Sequence, residues 1–405
     1  MTSTNISQEP APLARQTKPL VWLKKNLFST WYNSILTVVS LLLIYWLATG
    51  FVSWLLTEAD WGVIQANLRL FFVGRYPAEL LWRTWATLGL IVALGGFSWG
   101  VLARSSRLFN RTSLIVLAIA AAVSVVLALP VSAVATLLLL GMLILLVVAA
   151  VLGQQIAQRA ESLANWLPLL WLLAFFVGLW LLQGGFFLRR VRLDNFSGLI
   201  LTLLVAVVSI VLSFPFGVLL ALGRQSHLPV IRWLSIAYIE VIRGLPLIGI
   251  LFMAQVMLPL VLPVGVRPDR VVRAIAGFTL FSAAYLAENV RGGLQSVPRG
   301  QAEAARALGL NSLLVVGLIV LPQALKAVIP TIVGQFISLF KDTSLLAIVG
   351  LVELLGISQS ILSNPKFIGE YAEVYLFVAL IYWLCCYSMA LASRRLEKQL
   401  NAGQR

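Results

Sequence analysis

Uninterrupted apolar runs of about 20 residues recur along this chain, and they restrict it to one kind of fold. The stretch 132–152 is an example: it holds no charged residue. About 20 apolar residues in a helix match the roughly 30 Å hydrocarbon core of a bilayer. Inside lipid every backbone N–H and C=O must be paired within the protein, so only helices and closed barrels cross. Barrel strands alternate polar and apolar over about ten residues. The runs here are continuous, so the chain reads as all-α, a polytopic helical membrane protein. Composition agrees: 60% of residues are hydrophobic and only 11% charged, against about 25% charged in soluble domains.

The runs fall near 34–56, 84–103, 113–129, 132–152 and 164–183, then 198–222, 244–263, 274–294, one starting near Pro322, and 372–392. That is about ten spans. Residues 1–33 form a basic tail with Arg15, Lys18, Lys24 and Lys25. The first run is long and lies behind that tail, so it reads as a span rather than a cleaved signal. Pro130 marks a tight connection between the third and fourth runs. Gly184, Gly185, Arg189, Arg190, Arg192 and Asp194 interrupt the apolar pattern at 183–198. They divide an N-terminal extension, 34–183, from a second module, 198–394.

The formal net charge is +15. In a membrane protein such an excess belongs to short loops, where Lys and Arg stay on the inner side. Ten spans put both termini on one side. That side then holds the basic tail, the loop with Arg104, Arg107 and Arg111, the segment 295–312, and Arg394, Arg395 and Lys398. Arg189, Arg190 and Arg192 fall outside, as do Arg267, Arg270 and Arg273. The run 343–362 is then a re-entrant element rather than an eleventh crossing; as broken backbone it must be buried in protein or line a cavity.

Enzymatic readings find little support. One histidine, His227, excludes an HExxH zinc site and any two-histidine metal cluster. Cys385 and Cys386 lie inside an apolar run and read as packing residues. No Gly-Lys dipeptide occurs, so there is no GxxxxGK[ST] phosphate loop.

The stretch 287–322 is a polar, small-residue interruption between apolar runs. Pro298 and Gly300 precede an alanine-rich segment that Gly309 ends, the punctuation of a short helix. The slim Ala304, Ala305 and Ala307 let a partner's groove approach closely, and Glu303 offers one charge. An ordinary amphipathic surface loop would have the same composition. A helix over Asn311–Phe340 would run about 45 Å, and Pro322 and Pro330 interrupt it. Its first part is expected at the membrane surface, with the span beginning near Pro322.

The spacing is more specific than the composition. Glu303-Ala304-Ala305, three residues, Gly309, nine residues, then Ile319-x-Leu321-Pro322 resembles the cytoplasmic coupling loop of type I ABC importer permeases, with every fixed position present. Glu240 with Arg243-Gly244-Leu245-Pro246-Leu247, Ala287-Glu288-Asn289-Val290-Arg291-Gly292-Gly293, and Lys341-Asp342-Thr343-Ser344-Leu345 resemble the polar amino-acid branch. The resemblance covers about 198–394. The five extra spans look like those of the larger general L-amino-acid permease subunits.

The resemblance implies a five-helix permease core in the C-terminal half of a bacterial inner-membrane protein with both termini cytoplasmic. It implies an amino-acid importer subunit working by alternating access, with no enzymatic activity or cofactor of its own. The expected partners are a second permease subunit, two cytoplasmic ATPases that bind the ATP, and an extracytoplasmic amino-acid-binding protein. Glu303, Ala304, Ala305 and Gly309 would couple to the ATPase, with Leu308 and Leu310 as apolar anchors. Lys341, Asp342, Thr343 and Ser344 are pathway candidates, because intramembrane polar groups are functional by default; alternatively, Lys341 and Asp342 neutralise each other or cap a helix. Glu288 and Arg291 read as structural, and Glu353 is ambiguous. The rival reading is an ion-coupled secondary solute transporter, which needs no coupling loop.

Overall fold

The computed structural model describes residues 19–104, 107–128, 132–160, 162–263 and 265–402. Arg15, Lys18, Pro130 and the side chain of Lys398 lie outside them. The chain divides into two units, Met1–Asp60 and Trp61–Arg405. In the first, α1 (Pro19–Asn26) precedes α2 (Trp31–Ser53), which ends in a π-turn, Trp54–Glu58. Thr30 starts α2 by accepting a hydrogen bond from the Asn33 N–H. No residue of α2 is buried, as expected of a helix whose solvent is lipid.

The second unit begins with the short α3 (Gly62–Val73), followed by α4 (Leu81–Leu102), α5 (Arg111–Ala128), α6 (Ala133–Arg159) and α7 (Leu163–Gln183). Then come α8 (Leu199–Arg224), α9 (Pro229–Gly244), α10 (Leu247–Val256), α11 (Leu258–Val261) and α12 (Arg270–Ser296). Next are α13 (Arg299–Ala307) and α14 (Ser312–Leu314), the latter passing through a π-turn (Val315–Val320) into α15 (Leu321–Asp342). The chain ends with α16 (Leu354–Leu362) and α17 (Tyr371–Ala402).

Eight helices among the described residues are long and apolar enough to cross a membrane, or nine if α9 and α10 count as one bent span. Two departures from the expected ten have local causes. The run 244–263 is not a continuous span. Pro246 holds Leu245 in an extended conformation, φ −99° and ψ 142°, and α9 and α10 meet at 106°. The apolar part of α5, Arg111–Val126, is shorter than a full crossing. The run 343–362 forms only a 3₁₀ turn, Thr343–Ala347, and the nine-residue α16, which at about 14 Å cannot cross alone. The segment 311–340 differs too: Ser312–Ala347 is one helical path through Pro322. Pro322 sits at the start of α15 directly after the π-turn, whose wider i→i+5 pattern absorbs the missing N–H.

Helix α12 is the hub of the second half; α8, α9, α10 and α15 all pack on it. In the first half α4 packs on α6 and α7. The α4–α6 contact is backbone to backbone. A Cβ on Gly100 would lie 1.9 Å from the Ala150 carbonyl oxygen, and one on Gly153 2.4 Å from that of Phe97. Small residues four apart, here Gly96 and Gly100, permit such an approach in lipid. Gly100→Leu is expected to separate the two helices and cost about 1–3 kcal/mol. A lowered thermal midpoint of the detergent-solubilised chain would register it, and an unchanged midpoint would contradict the close contact.

Although α3 lies upstream of the 183–198 break, it packs on α8, α16 and α17. Val63, Ile64 and Phe71 share a buried cluster with Leu354, Ile357 and Val374. The chain leaves α3 at Gly74 (φ +53°), where a Cβ would lie 2.1 Å from Ser197 Oγ. The Arg75 N–H donates to that Oγ at 2.8 Å. Gly198 (φ +67°) crowds the Leu70 and Phe71 carbonyls. Helices α4 to α7 therefore leave and rejoin the permease-like core at adjacent points.

Candidate coupling site

Helix α13 is short, and its end is fixed by hydrogen bonds. The Gly309 N–H donates to the Arg306 carbonyl at 2.9 Å and the Leu310 N–H to the Ala305 carbonyl at 3.2 Å. With Gly309 at φ +82°, this is a Schellman stop. Ala305 is buried, 4% exposed, where α13 lies against the π-turn 315–320. Gln323 Nε2 donates to Gln301 Oε1 at 3.4 Å across the same contact. Glu303, Ala304 and Gly309 are exposed and Leu310 is half-buried. Leu308 is 83% exposed and the nearby Leu313 84%. The helix is therefore seated by Ala305 and presents the Glu303 carboxylate outward, with Leu308 bare at its end and Leu313 bare on α14.

Upstream of it in the chain, an ionic hub joins three helices. Glu288 on α12 accepts from Arg291 on the same helix and from Arg224 at the end of α8 at 3.4 Å. It pairs with Arg243 of α9 at 3.7 Å. Arg224 also donates to Glu240 at 2.9 Å, and the Arg243 guanidinium lies 5.5 Å from the Tyr285 ring centroid. The structural reading of Glu288 and Arg291 understates this cluster. Sequence reasoning missed Arg224, a charge at the end of an apolar run, because its partner lies 64 residues away.

The pathway candidates sit where α15 ends. Thr343 is fully buried, and its hydroxyl donates to the Phe340 carbonyl at 2.6 Å. Ser344 and Asp342 are half-buried and Lys341 exposed. A cavity of about 230 Å³ opens further along, lined by Ala347, Gly350, Gln359, Ser360 and Ser363 among others, and none of the four candidates lines it. Glu353, 0% exposed, is a cap: its carboxylate accepts from the Leu355 N–H at 2.8 Å, the Gly356 N–H at 2.9 Å and the Tyr382 hydroxyl at 3.1 Å. It thereby ties α16 to α17. The signal was its position directly ahead of a short apolar run.

His227 is exposed and both cysteines are half-buried free thiols. Among the described residues no group of three or more His, Cys, Asp or Glu side chains is placed to hold a metal.

Residues 213–402 match the family described as "Binding-protein-dependent transport system inner membrane component". The chain is 38% identical over 406 residues to the inner membrane amino-acid ABC transporter permease protein YhdY of Escherichia coli, covering 100% of this chain and 99% of the relative. It is 39% identical to the glutamate/glutamine/aspartate/asparagine transport system permease protein BztC of Rhodobacter capsulatus, covering 99% and 98%. A shorter relative, the probable glutamine ABC transporter permease protein GlnP of Bacillus subtilis, is 41% identical over 50% of this chain and 91% of its own length. With the exposed α13 and the ionic hub both inside the matched region, the chain belongs to the amino-acid ABC transporter permeases, a branch of the binding-protein-dependent inner membrane transport components.

Proposed function

We propose that this chain is the permease subunit of an importer that carries amino acids across the bacterial inner membrane by alternating access, with both termini cytoplasmic. The full-length similarity to a permease named for amino-acid transport carries the reading. The same similarity favours it over an ion-coupled secondary transporter. ATP would be bound and hydrolysed by a cytoplasmic partner docked on Glu303, Ala304, Leu308, Gly309 and Leu310, while the buried Ala305 seats the helix against the turn behind it. That partner's closure would move α13 as a lever against the π-turn 315–320, on which it rests. A second permease subunit and an extracytoplasmic binding protein complete the machine. Each ligand can shift the transport equilibrium only by its differential affinity for the two states.

For the pathway, Lys341 and Asp342 offer a donor and an acceptor of the kind a zwitterionic amino acid needs. Thr343 and Ser344 flank them at the turn out of α15.

The test is co-purification of the chain with an ATPase subunit, followed by uptake of radiolabelled amino acids into proteoliposomes containing the complex and its binding protein. ATP-dependent uptake of one or more amino acids is the expected result. Uptake driven by an ion gradient with no ATPase present would replace the reading by the secondary-transporter one. In the same assay Asp342→Asn should impair uptake while the complex still assembles. Full uptake with unaltered preference would remove Asp342 from the pathway.

A further inference from the structure

The loop that follows α7 exposes two aromatic side chains completely. Phe186 and Phe187 are 94% and 97% exposed, more than any lipid-facing aromatic side chain on the helices. They form the tip of a tight hairpin. Gly185 and Leu188 exchange two backbone hydrogen bonds, each 2.9 Å. Phe186 adopts φ +50°, the one positive φ at a non-glycine position among the described residues. For a bulky residue that conformation is strained, and at 94% exposure no packing compensates it.

The hairpin is pinned at its base. The Trp180 indole N–H donates to the Gly185 carbonyl at 3.3 Å. The guanidinium of Arg83, 2% exposed, donates to the Arg189 carbonyl at 2.7 Å. The Val191 N–H donates to the Gln183 carbonyl at 2.8 Å. Arg189, Arg190 and Arg192 follow the tip in the chain, and all three are exposed. Arg189 faces Glu79 at 3.5 Å and Arg192 faces Asp194 at 3.0 Å, exposed pairs of a kind that contribute little. Arg190 makes no ion pair among the described residues.

Chain length says what the tip meets. Helix α7 has 21 residues, about 32 Å, so one crossing brings Gln183 to the edge of the hydrocarbon core. From Gln183 to Phe186 the chain can reach at most about 10 Å, and the hairpin is folded rather than extended. The headgroup layer beyond the core is about 5–8 Å deep on each side. Aromatic rings at that depth sit at the acyl boundary, and arginines reach phosphates.

We infer that the Phe186–Phe187 hairpin is a membrane-interface anchor that binds anionic phospholipid headgroups. Its rings enter the acyl boundary and Arg190 and Arg189 contact lipid phosphate. This accounts for arginines 189, 190 and 192 on the side that the charge bias of the loops leaves outside. The inference concerns the lipid and does not depend on which solute is moved.

The test uses the full chain in vesicles of phosphatidylcholine, with and without phosphatidylglycerol. A nitroxide is placed at Phe187→Cys in a Cys385→Ser, Cys386→Ser background, with His227→Cys as a water-exposed reference. Expected at 187 are strong collisions with oxygen and weak collisions with a water-soluble nickel chelate, with a shift to greater depth when phosphatidylglycerol is present. Nickel access equal to that at 227 overturns the inference. So does immobilisation of the label only on adding the extracytoplasmic binding protein, which would make the tip a protein-docking point. A second measurement needs no cysteine changes: phosphatidylglycerol co-purifying with the chain should fall by about fivefold in apparent affinity for each of Arg189→Gln and Arg190→Gln. Unchanged lipid retention would also overturn it.

Discussion

Glu303→Lys and Gly309→Pro are each expected to abolish ATP-dependent uptake while leaving the chain inserted in the membrane. The two act differently on the same helix. Glu303 is exposed, so reversing its charge alters what a partner meets and disturbs no packing. Gly309 holds φ +82°, whereas proline fixes φ near −65° and removes the N–H that bonds the Arg306 carbonyl at 2.9 Å. The stop of α13 is lost, and with it the aim of Leu308. Gly309→Ala separates strain from contact. Nothing lies within 4 Å of the position a Cβ would take, so only the left-handed backbone opposes it, at about 1–2 kcal/mol. That variant should retain reduced uptake. Normal uptake by both Glu303→Lys and Gly309→Pro, with membrane levels matched, would remove α13 from coupling.

Glu288→Ala is the second large effect. Glu288 is 19% exposed and faces the guanidinium groups of Arg224, Arg243 and Arg291. Removing it leaves three mutually repelling cations with Glu240 as their remaining counter-charge. The cluster is partly exposed, 19–35% at Glu288 and its three arginines, so stripping out its central carboxylate costs about 1–2 kcal/mol, between the values for exposed and buried pairs. The end of α8, α9 and the last turns of α12 should then loosen just ahead of α13, lowering the thermal midpoint and abolishing uptake. Glu240→Ala is the internal control. Its side chain is 55% exposed, and exposed pairs contribute about 0–1 kcal/mol. If Glu288→Ala proves no worse than Glu240→Ala in both midpoint and uptake, the hub does not hold these helices together.

Much of this was legible because the signals are local. The boundaries of α13 follow from Pro298 and Gly309, residues whose backbone limits act within one turn. The bend between α9 and α10 was also written in the sequence, in Pro246, but apolar composition alone reads 244–263 as a straight span. Pro322 misleads the other way. A proline in mid-run reads as a break, and only the π-turn ahead of it shows how the helix continues. Glu353 looked ambiguous because its Tyr382 partner sits on another helix. Thr343, read as a pathway group, turns its hydroxyl to its own backbone, an option open to any threonine near a helix end.

By itself the sequence determined that the chain crosses a bilayer as helices, and where a short polar helix interrupts them. Both follow from constraints satisfied within a single segment: the thickness of the hydrocarbon core and the need to pair every backbone polar group in lipid. Only the tertiary structure decided that Arg224, Arg243 and Arg291 converge on Glu288, and that α3 packs on α8, α16 and α17 across the intervening α4 to α7. Close packing and ion pairing bring together groups far apart in the chain, and no apolar periodicity records which distant residue will be the neighbour.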